Sequence, residues 1–301
     1  MTAEKWVRST LRQLSEALSA SSFVVGYVTV GRLLKSLGFS LKSNRKESTG
    51  QAHPDRDRQF RYIARVKQCF LAAGHPIISV DAKKKELIGN FKNPGRTWCR
   101  EAEAVNVHDF RHEAEGRAIP YGIYDITHNL GYVAVGTCAE TSAFAVDAIC
   151  WWWGLDNRPT FPDESNLLIF SDAGGSDGCR FRLWKKRLQE QLADRLGIDV
   201  MVCHYPTGTS KWNPVEHRLF SEISKNWAGE PLTTYEKILK FIRTTNTQTG
   251  LRVTAYLDRT PYETGITPTS EERRQLRLRP HDTLPQWNYT IAPNARGRIC
   301  S

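Results

Sequence analysis

Three carboxylates stand where they could share one task. Asp81 closes the apolar run Ile78-Ser79-Val80, and Asp172 closes Leu167-Leu168-Ile169-Phe170-Ser171. Glu216 follows a polar loop, one turn into an expected helix. Between Asp81 and Asp172 lie 90 residues, and between Asp172 and Glu216 lie 43, enough to return the chain twice to one sheet edge. Any single acid is ordinarily a strand-end or helix-start residue; the ordered set points to a site. Three clustered carboxylates repel one another unless a cation lies between them. Hard oxygen ligands suit Mg²⁺ or Mn²⁺. Two such ions roughly 3.5–4 Å apart activate an attacking oxygen and stabilise a leaving one in phosphodiester chemistry. On this reading Asp81 bridges both ions, and Asp172 and Glu216 each complete one shell.

The elements needed to position these acids are legible in outline. Ile78 to Asp81 reads as a strand, paired by a hairpin with a second strand from Glu86 to Phe91 across Lys83-Lys84-Lys85. Residues 101–125 carry no clear signal. Gly131-Tyr132-Val133-Ala134-Val135-Gly136 is a short strand, residues 141–153 an apolar helix, and residues 166–171 a buried strand. A helix over residues 180–196, a strand over 199–203 and a helix over 213–227 follow. Three antiparallel strands and then alternating units predict an α/β, ribonuclease-H-like mixed five-stranded sheet flanked by helices, occupying residues 75–230. Residues 231–301 form a C-terminal α+β extension.

Upstream, Trp6, Thr10, Leu11, Leu14 and Leu18 recur at helical spacing. A second helix capped by Thr29 carries Val30, Leu33, Leu34 and Leu37 on one face and ends before Gly38. Residues 1–45 therefore read as a partial helix-turn-helix-like module. In it Arg32 and Lys35 point toward DNA, and Lys42, Arg45 and Lys46 meet phosphates. Residues 46–74 form a linker and a basic helix. The net charge of +10 favours a polyanionic partner, double-stranded DNA before membrane. No apolar run is long enough to span a bilayer. Seven cysteines without a C-x-x-C pair suggest free thiols in a reducing cytoplasm. Near the acids, Lys83, Lys85, Ser210, Lys211 and Asn213 are candidate DNA contacts. His217, next to Glu216, is a candidate to support the metal ligands from behind.

Rival motifs exist. Gly174-Gly175-Ser176-Asp177-Gly178 fits G-x-S-x-G between a strand and a helix, so Ser176 could be a hydrolase nucleophile, with Asp199 and His204 or His217 as partners. Ser176 stands several residues past the strand end, which disfavours that reading; a flexible turn beside Asp172 is the plainer one. His108 and His112 lie four apart, without the Glu of a zincin. Trp151-Trp152-Trp153 could stack on bases, though core packing is commoner.

Several segments together resemble a known family. They are Ser79-Val80-Asp81-Ala82-Lys83-Lys84-Lys85-Glu86-Leu87, Val107-His108-Asp109-Phe110, Ala118-Ile119-Pro120-Tyr121-Gly122 and Ser171-Asp172-Ala173-Gly174-Gly175-Ser176. Further on come Gly208-Thr209-Ser210-Lys211-Trp212-Asn213, Glu216-His217-Arg218-Leu219-Phe220-Ser221 and Trp287-Asn288-Tyr289. In this order they resemble the DDE transposases of ISAzo-type bacterial insertion sequences, distant relatives of the mariner-like transposases. The resemblance implies that Asp81, Asp172 and Glu216 are the catalytic and metal-binding acids. It implies cut-and-paste movement of an element whose terminal inverted repeats the N-terminal module binds, in a homo-oligomer, at the nucleoid of a bacterial cytoplasm. Family members usually carry a longer N-terminal part, so a truncated DNA-binding derivative without catalysis is the alternative.

Overall fold

A computed structural model describes residues 9–40, 53–154 and 165–294. The chain divides into two compact units, residues 1–50 and 51–301. Of the phosphate contacts expected in the first, Lys42, Arg45 and Lys46 lie outside the described residues.

In the first unit, α1 spans Leu11–Ala20 and α2 spans Tyr27–Ser36. Thr10 caps α1, and Gln13 reaches back to the Thr10 backbone N–H, which satisfies two otherwise orphaned donors. α2 begins earlier than expected. Gly26 is its cap residue, and Thr29 lies inside the first turn, its hydroxyl accepting from Arg32. Gly38 ends the helix at φ +83°, a left-handed conformation that carries no steric penalty for glycine. Arg32 and Lys35 are exposed on α2.

The second unit opens with α3, Arg56–Ala73, whose buried face is Gln59, Ile63 and Val66. There follow β1 (Ile77–Ala82), β2 (Glu86–Ile88), β3 (Gly116–Asp125) and β4 (Leu130–Gly136). Next come α4 (Ser142–Trp152), β5 (Asn166–Asp172), α5 (Arg182–Leu188, continued by a π-helical segment Gln189–Asp194) and β6 (Asp199–Tyr205). A π-helical segment, Val215–Phe220, runs directly into α6 (Ser221–Asn226). The chain continues with α7 (Tyr235–Arg243), β7 (Arg252–Asp258), α8 (Ser270–Arg274), β8 (Leu278–Pro280) and β9 (Asn288–Ile291).

Among the described residues the strands form one nine-stranded sheet, in the order β7-β4-β3-β1-β5-β6-β9-β8, with β2 paired to β3. Its middle, β4-β3-β1-β5-β6, is the ribonuclease-H-like arrangement: three antiparallel strands, then two parallel to the central one. Four of the five expected strands lie in this centre; the fifth place belongs to β3, from residues without a clear strand signal, while the strand expected from Glu86 is the short β2 paired beside it. Residues beyond 231 do not stand apart but extend both edges, β7 running parallel to β4 and β9 antiparallel to β6. The gain is physical, because added strands pair edge N–H and C=O groups that would otherwise be open.

The hairpin expected between β1 and β2 does not form. Both strands pair with the same ten-residue β3, β1 along residues 121–125 and β2 along 116–118. They are one line of chain interrupted at the three lysines, where Lys83 N–H still donates to Pro120 O. A residue's N and O face the same neighbour in a strand. The missing N–H of Pro120 therefore falls at this interruption, which is how a proline is tolerated in a central strand.

Helices cover both faces. α4 and α5 pack on one, around Ile78, Val80, Ile169 and Trp184. α3 packs on the other against Ile77, Leu168 and Phe170, beside Val215, Leu219 and α7 on β3, β4 and β7. The tryptophan triplet belongs to this packing. Trp152 and Trp153 are buried, and Trp151 lies 4.2 Å from the Tyr256 ring, so none serves as an open base platform. Among the described residues no helix is long and apolar enough to cross a membrane.

Candidate active site

The site lies at the C-terminal ends of β1 and β5. Their parallel register pairs Ser79 with Phe170, so two residues on, Asp81 and Asp172 come level on adjacent strands. Adjacent strands lie about 4.8 Å apart, and side chains two residues apart share a face. Opposite Asp81 on β3 stands Gly122, whose open face receives Phe220 and Val215 of the Val215–Phe220 segment. That segment carries Glu216 and brings its carboxyl close to that of Asp81.

Burial dominates the electrostatics of these acids. The Asp81 carboxyl is pushed strongly upward by desolvation first, then by the charges of Asp177 and Asp172 and by the neighbouring Glu216 carboxyl. Asp172 is pushed up to about 6 by burial and by the charge of Glu216, against a lowering bond from Asn213. Asp177 is pushed up to about 7 by burial, although bonds from Ser171 and Tyr121 stabilise its charged form. Among the described residues none of these carboxylates has an ion-pair partner of opposite charge. The donor set therefore fits a divalent cation in charge and hardness. The side chains do not already surround one position: among the described residues no three His, Cys, Asp or Glu groups are arranged to hold a metal ion.

Asp177 is the member the sequence did not signal. It is 1% exposed and receives the Tyr121 hydroxyl at 3.1 Å. Inside the glycine turn it looked like a loop residue, and only the fold turns it toward Asp81.

Two expected DNA contacts face inward instead. Asn213 is fully buried; it accepts from Ser79 Oγ and donates to Asp172 Oδ1 at 3.1 Å and Val80 O at 3.3 Å. It is a brace between β1 and Asp172. Lys83 is almost buried, paired with Glu86 at 2.7 Å and set over the Trp227 ring at 4.7 Å. Lys85 remains on the surface, 3.2 Å from Glu140. Ser210 and Lys211 are exposed on the loop before Asn213, with Lys211 Nζ 4.1 Å from the Trp212 ring centre. His217 points elsewhere, into a hollow with Asn129, Arg218 and Glu222.

The serine-hydrolase reading fails on geometry. The Ser176 hydroxyl is buried and, among the described residues, has no hydrogen-bond partner. Asp199 lies at the start of β6, the opposite end from Asp172, and is paired with Arg279. His204 is committed to Asp172 O and Tyr289, and His217 lies in its separate hollow. His108 and His112 are exposed, each packed against Phe110 instead of converging on an ion.

The family model described as Rhodopirellula transposase DDE domain matches residues 1–293. The chain belongs to this family. No curated protein sequence matches this DDE domain. Solved structures similar to it include the Mos1 transposase paired-end complex with left transposon end, at 15% identity and TM-score 0.46, covering 78% of this chain and 65% of that one. A pre-cleavage Mos1 transpososome matches at 16% identity and TM-score 0.47, over 78% and 66%. The Mos1 strand transfer complex matches at 18% and 0.47, over 78% and 65%. The DDE domain thus spans about two thirds of the length of those chains.

Proposed function

We propose that this DDE domain hydrolyses DNA at the ends of an insertion sequence and transfers the freed 3′-hydroxyl into target DNA. The reading is carried by one observation: Asp81 and Asp172 lie level on neighbouring strands, with Glu216 brought close to Asp81 and, among the described residues, no side-chain cation paired with them. Asp81, Asp172 and Glu216 would hold Mg²⁺ or Mn²⁺, as two ions. Bound there, the ions would supply activation of the attacking oxygen and stabilisation of the leaving oxygen. Asn213 keeps the Asp172 carboxylate turned toward β1, and the Gly174-Gly175 turn leaves the strand end open to a phosphodiester backbone. Lys85, Ser210 and Lys211, all exposed, would contact phosphates. Arg32 and Lys35 on α2 would meet the terminal inverted repeats. Joining two ends calls for at least two copies of the chain.

The test is Mg²⁺-dependent nicking and strand joining on a duplex carrying the terminal repeat. The wild-type chain is expected to be active and Asp81→Asn inactive, with DNA binding retained. Full activity in Asp81→Asn would refute the site. Salt-sensitive DNA binding by the wild type without any cleavage would favour the non-catalytic derivative.

A further inference from the structure

The last strand of the chain, β9, is wired to Asp172 through buried side chains that carry none of the chemistry described above. His204 on β6 is paired with Ser171, so its side chain lies on the sheet face opposite the Asp172 carboxylate. It is fully buried, and its Nδ1 lies 2.9 Å from the backbone carbonyl oxygen of Asp172. A carbonyl only accepts, so Nδ1 carries the hydrogen. In a neutral imidazole Nε2 must then accept, and the group facing it is the Tyr289 hydroxyl at 3.0 Å. Tyr289 Oη accepts in turn from Trp184 Nε1 at 3.1 Å. Tyr289 and Trp184 are also fully buried. The donors therefore run in a single direction, from Trp184 to Tyr289 to His204 to Asp172.

The backbone of His204 is held by the same segment. Its N–H donates to Trp287 O at 2.9 Å, and its carbonyl accepts from Gln59 Nε2 at 2.8 Å. Gln59 and Asn288 exchange two amide bonds of 2.7 Å each, and both are fully buried. Trp287, Asn288 and Tyr289 thus all bear on one histidine, the first through its backbone, the second through α3 and the third through its hydroxyl.

We infer that His204 and Tyr289 are positioning residues for Asp172: their hydrogen-bond chain fixes the carbonyl at the end of β5, and with it the direction in which the Asp172 side chain leaves the strand. The inference rests on the reading that Asp172 holds a divalent cation. Groups one step behind a metal ligand orient it, and their loss typically weakens metal binding about 10–100-fold.

The experiment is thermal melting of the full chain against Mn²⁺ concentration, with no DNA present. In the wild type, Mn²⁺ raises the melting temperature, and Asp81→Asn abolishes the rise. Tyr289→Phe removes one hydroxyl, and the expected result is a half-saturating Mn²⁺ concentration about 10–100-fold higher. His204→Asn offers a side-chain N–H toward the Asp172 carbonyl and is expected to retain tighter Mn²⁺ binding than His204→Leu, which offers none. Nitrogen NMR of the wild-type His204 side chain is expected to show the Nδ1–H tautomer. The inference is overturned if Tyr289→Phe lowers the metal-free melting temperature yet keeps its half-saturation within about twofold of wild type. It is equally overturned if His204→Leu binds Mn²⁺ as tightly as His204→Asn, if the tautomer is Nε2–H, or if the wild type takes up no Mn²⁺. A wild type that binds Mn²⁺ with the expected variant shifts but never nicks DNA would refute the catalytic function and support the positioning role.

Discussion

Gly122 ties the position of Glu216 to a single missing methyl group. A Cβ at residue 122 would lie 2.6 Å from Phe220 Cζ and 3.0 Å from Val215 Cγ2, where ordinary contact begins at 3.4 Å. The Phe220 ring would have to retreat by roughly 1 Å to restore normal contact. Phe220 and Val215 belong to the helical segment that carries Glu216, so the retreat moves that carboxyl relative to Asp81. Overpacking of this kind costs about 2 kcal/mol, which for a domain of this size lowers the melting temperature by about 4–8 °C. Misplacing a catalytic group by 1 Å costs about 100-fold in rate. Gly122→Ala is therefore expected to melt several degrees early and to nick terminal-repeat DNA about 100-fold more slowly. Adding Phe220→Leu vacates the space of the ring edge, so the double variant should recover part of both losses. Two measurements suffice: a melting curve and a single-turnover nicking rate at saturating Mg²⁺. A Gly122→Ala chain that melts and cuts like wild type would show that the segment is not seated on β3 as described.

Asn213→Ala removes the bonds to Asp172 Oδ1 and Val80 O and leaves the Ser79 hydroxyl, which still accepts from Val215 N–H, without an acceptor, for a stability loss of about 2–3 kcal/mol by denaturant titration. Because the Asn213 bond lowers the Asp172 pKa, its loss should raise that pKa further, and half-saturating Mg²⁺ should then climb more steeply in the variant as pH falls below 7. His204 predicts an acid-side effect of opposite sign to that of the acids. Burial pushes its pKa down to about 4, so the unfolded chain takes up its proton first. Its contribution is complete above pH 6.5 and declines by about 3 kcal/mol as pH falls to 4. Asp172 and Asp177, held above their ordinary values, gain stability over part of the same range. The difference between wild type and His204→Asn in melting temperature against pH isolates the histidine; no difference between pH 6.5 and 4 would contradict its neutral, buried state. Finally, Lys83→Ala should lower the melting temperature and leave DNA affinity unchanged, whereas Lys211→Ala should do the reverse and reduce the slope of log affinity against log salt by about 0.9.

Local pattern was sufficient where the structure obeys local rules. The β-branched run ending at Asp81 and the apolar run ending at Asp172 could only be buried strands, and Ser142–Trp152, apolar all round behind the Thr141 cap, could only be a core helix. With three acids at the ends of such elements, the ribonuclease-H-like order followed from the chain alone. What escaped was non-local. β3, the strand joining β1, β2 and β4, contains Pro120 and Gly122, which weaken any strand signal; each is tolerated because of what lies across from it. Residues 231–301 gave no sign that they would pair with both edges of the sheet, since an edge strand has no signature apart from its partner. α3 buries Gln59 and leaves Leu71 in solvent, because a polar side chain met by Asn288 and the His204 carbonyl costs little to bury.

The same distinction runs through the site. Residue type marked Asp81, Asp172 and Glu216 as candidates, since carboxylates at strand ends and at a helix start are visible in one dimension. Direction was not visible. Asn213 and Lys83 carry the polar groups of DNA contacts but point into the protein, and Asp177 carries the group of a loop residue but points into the site. Which way a side chain points depends on which strand or helix lies behind it, and pairings between segments far apart in the chain set that.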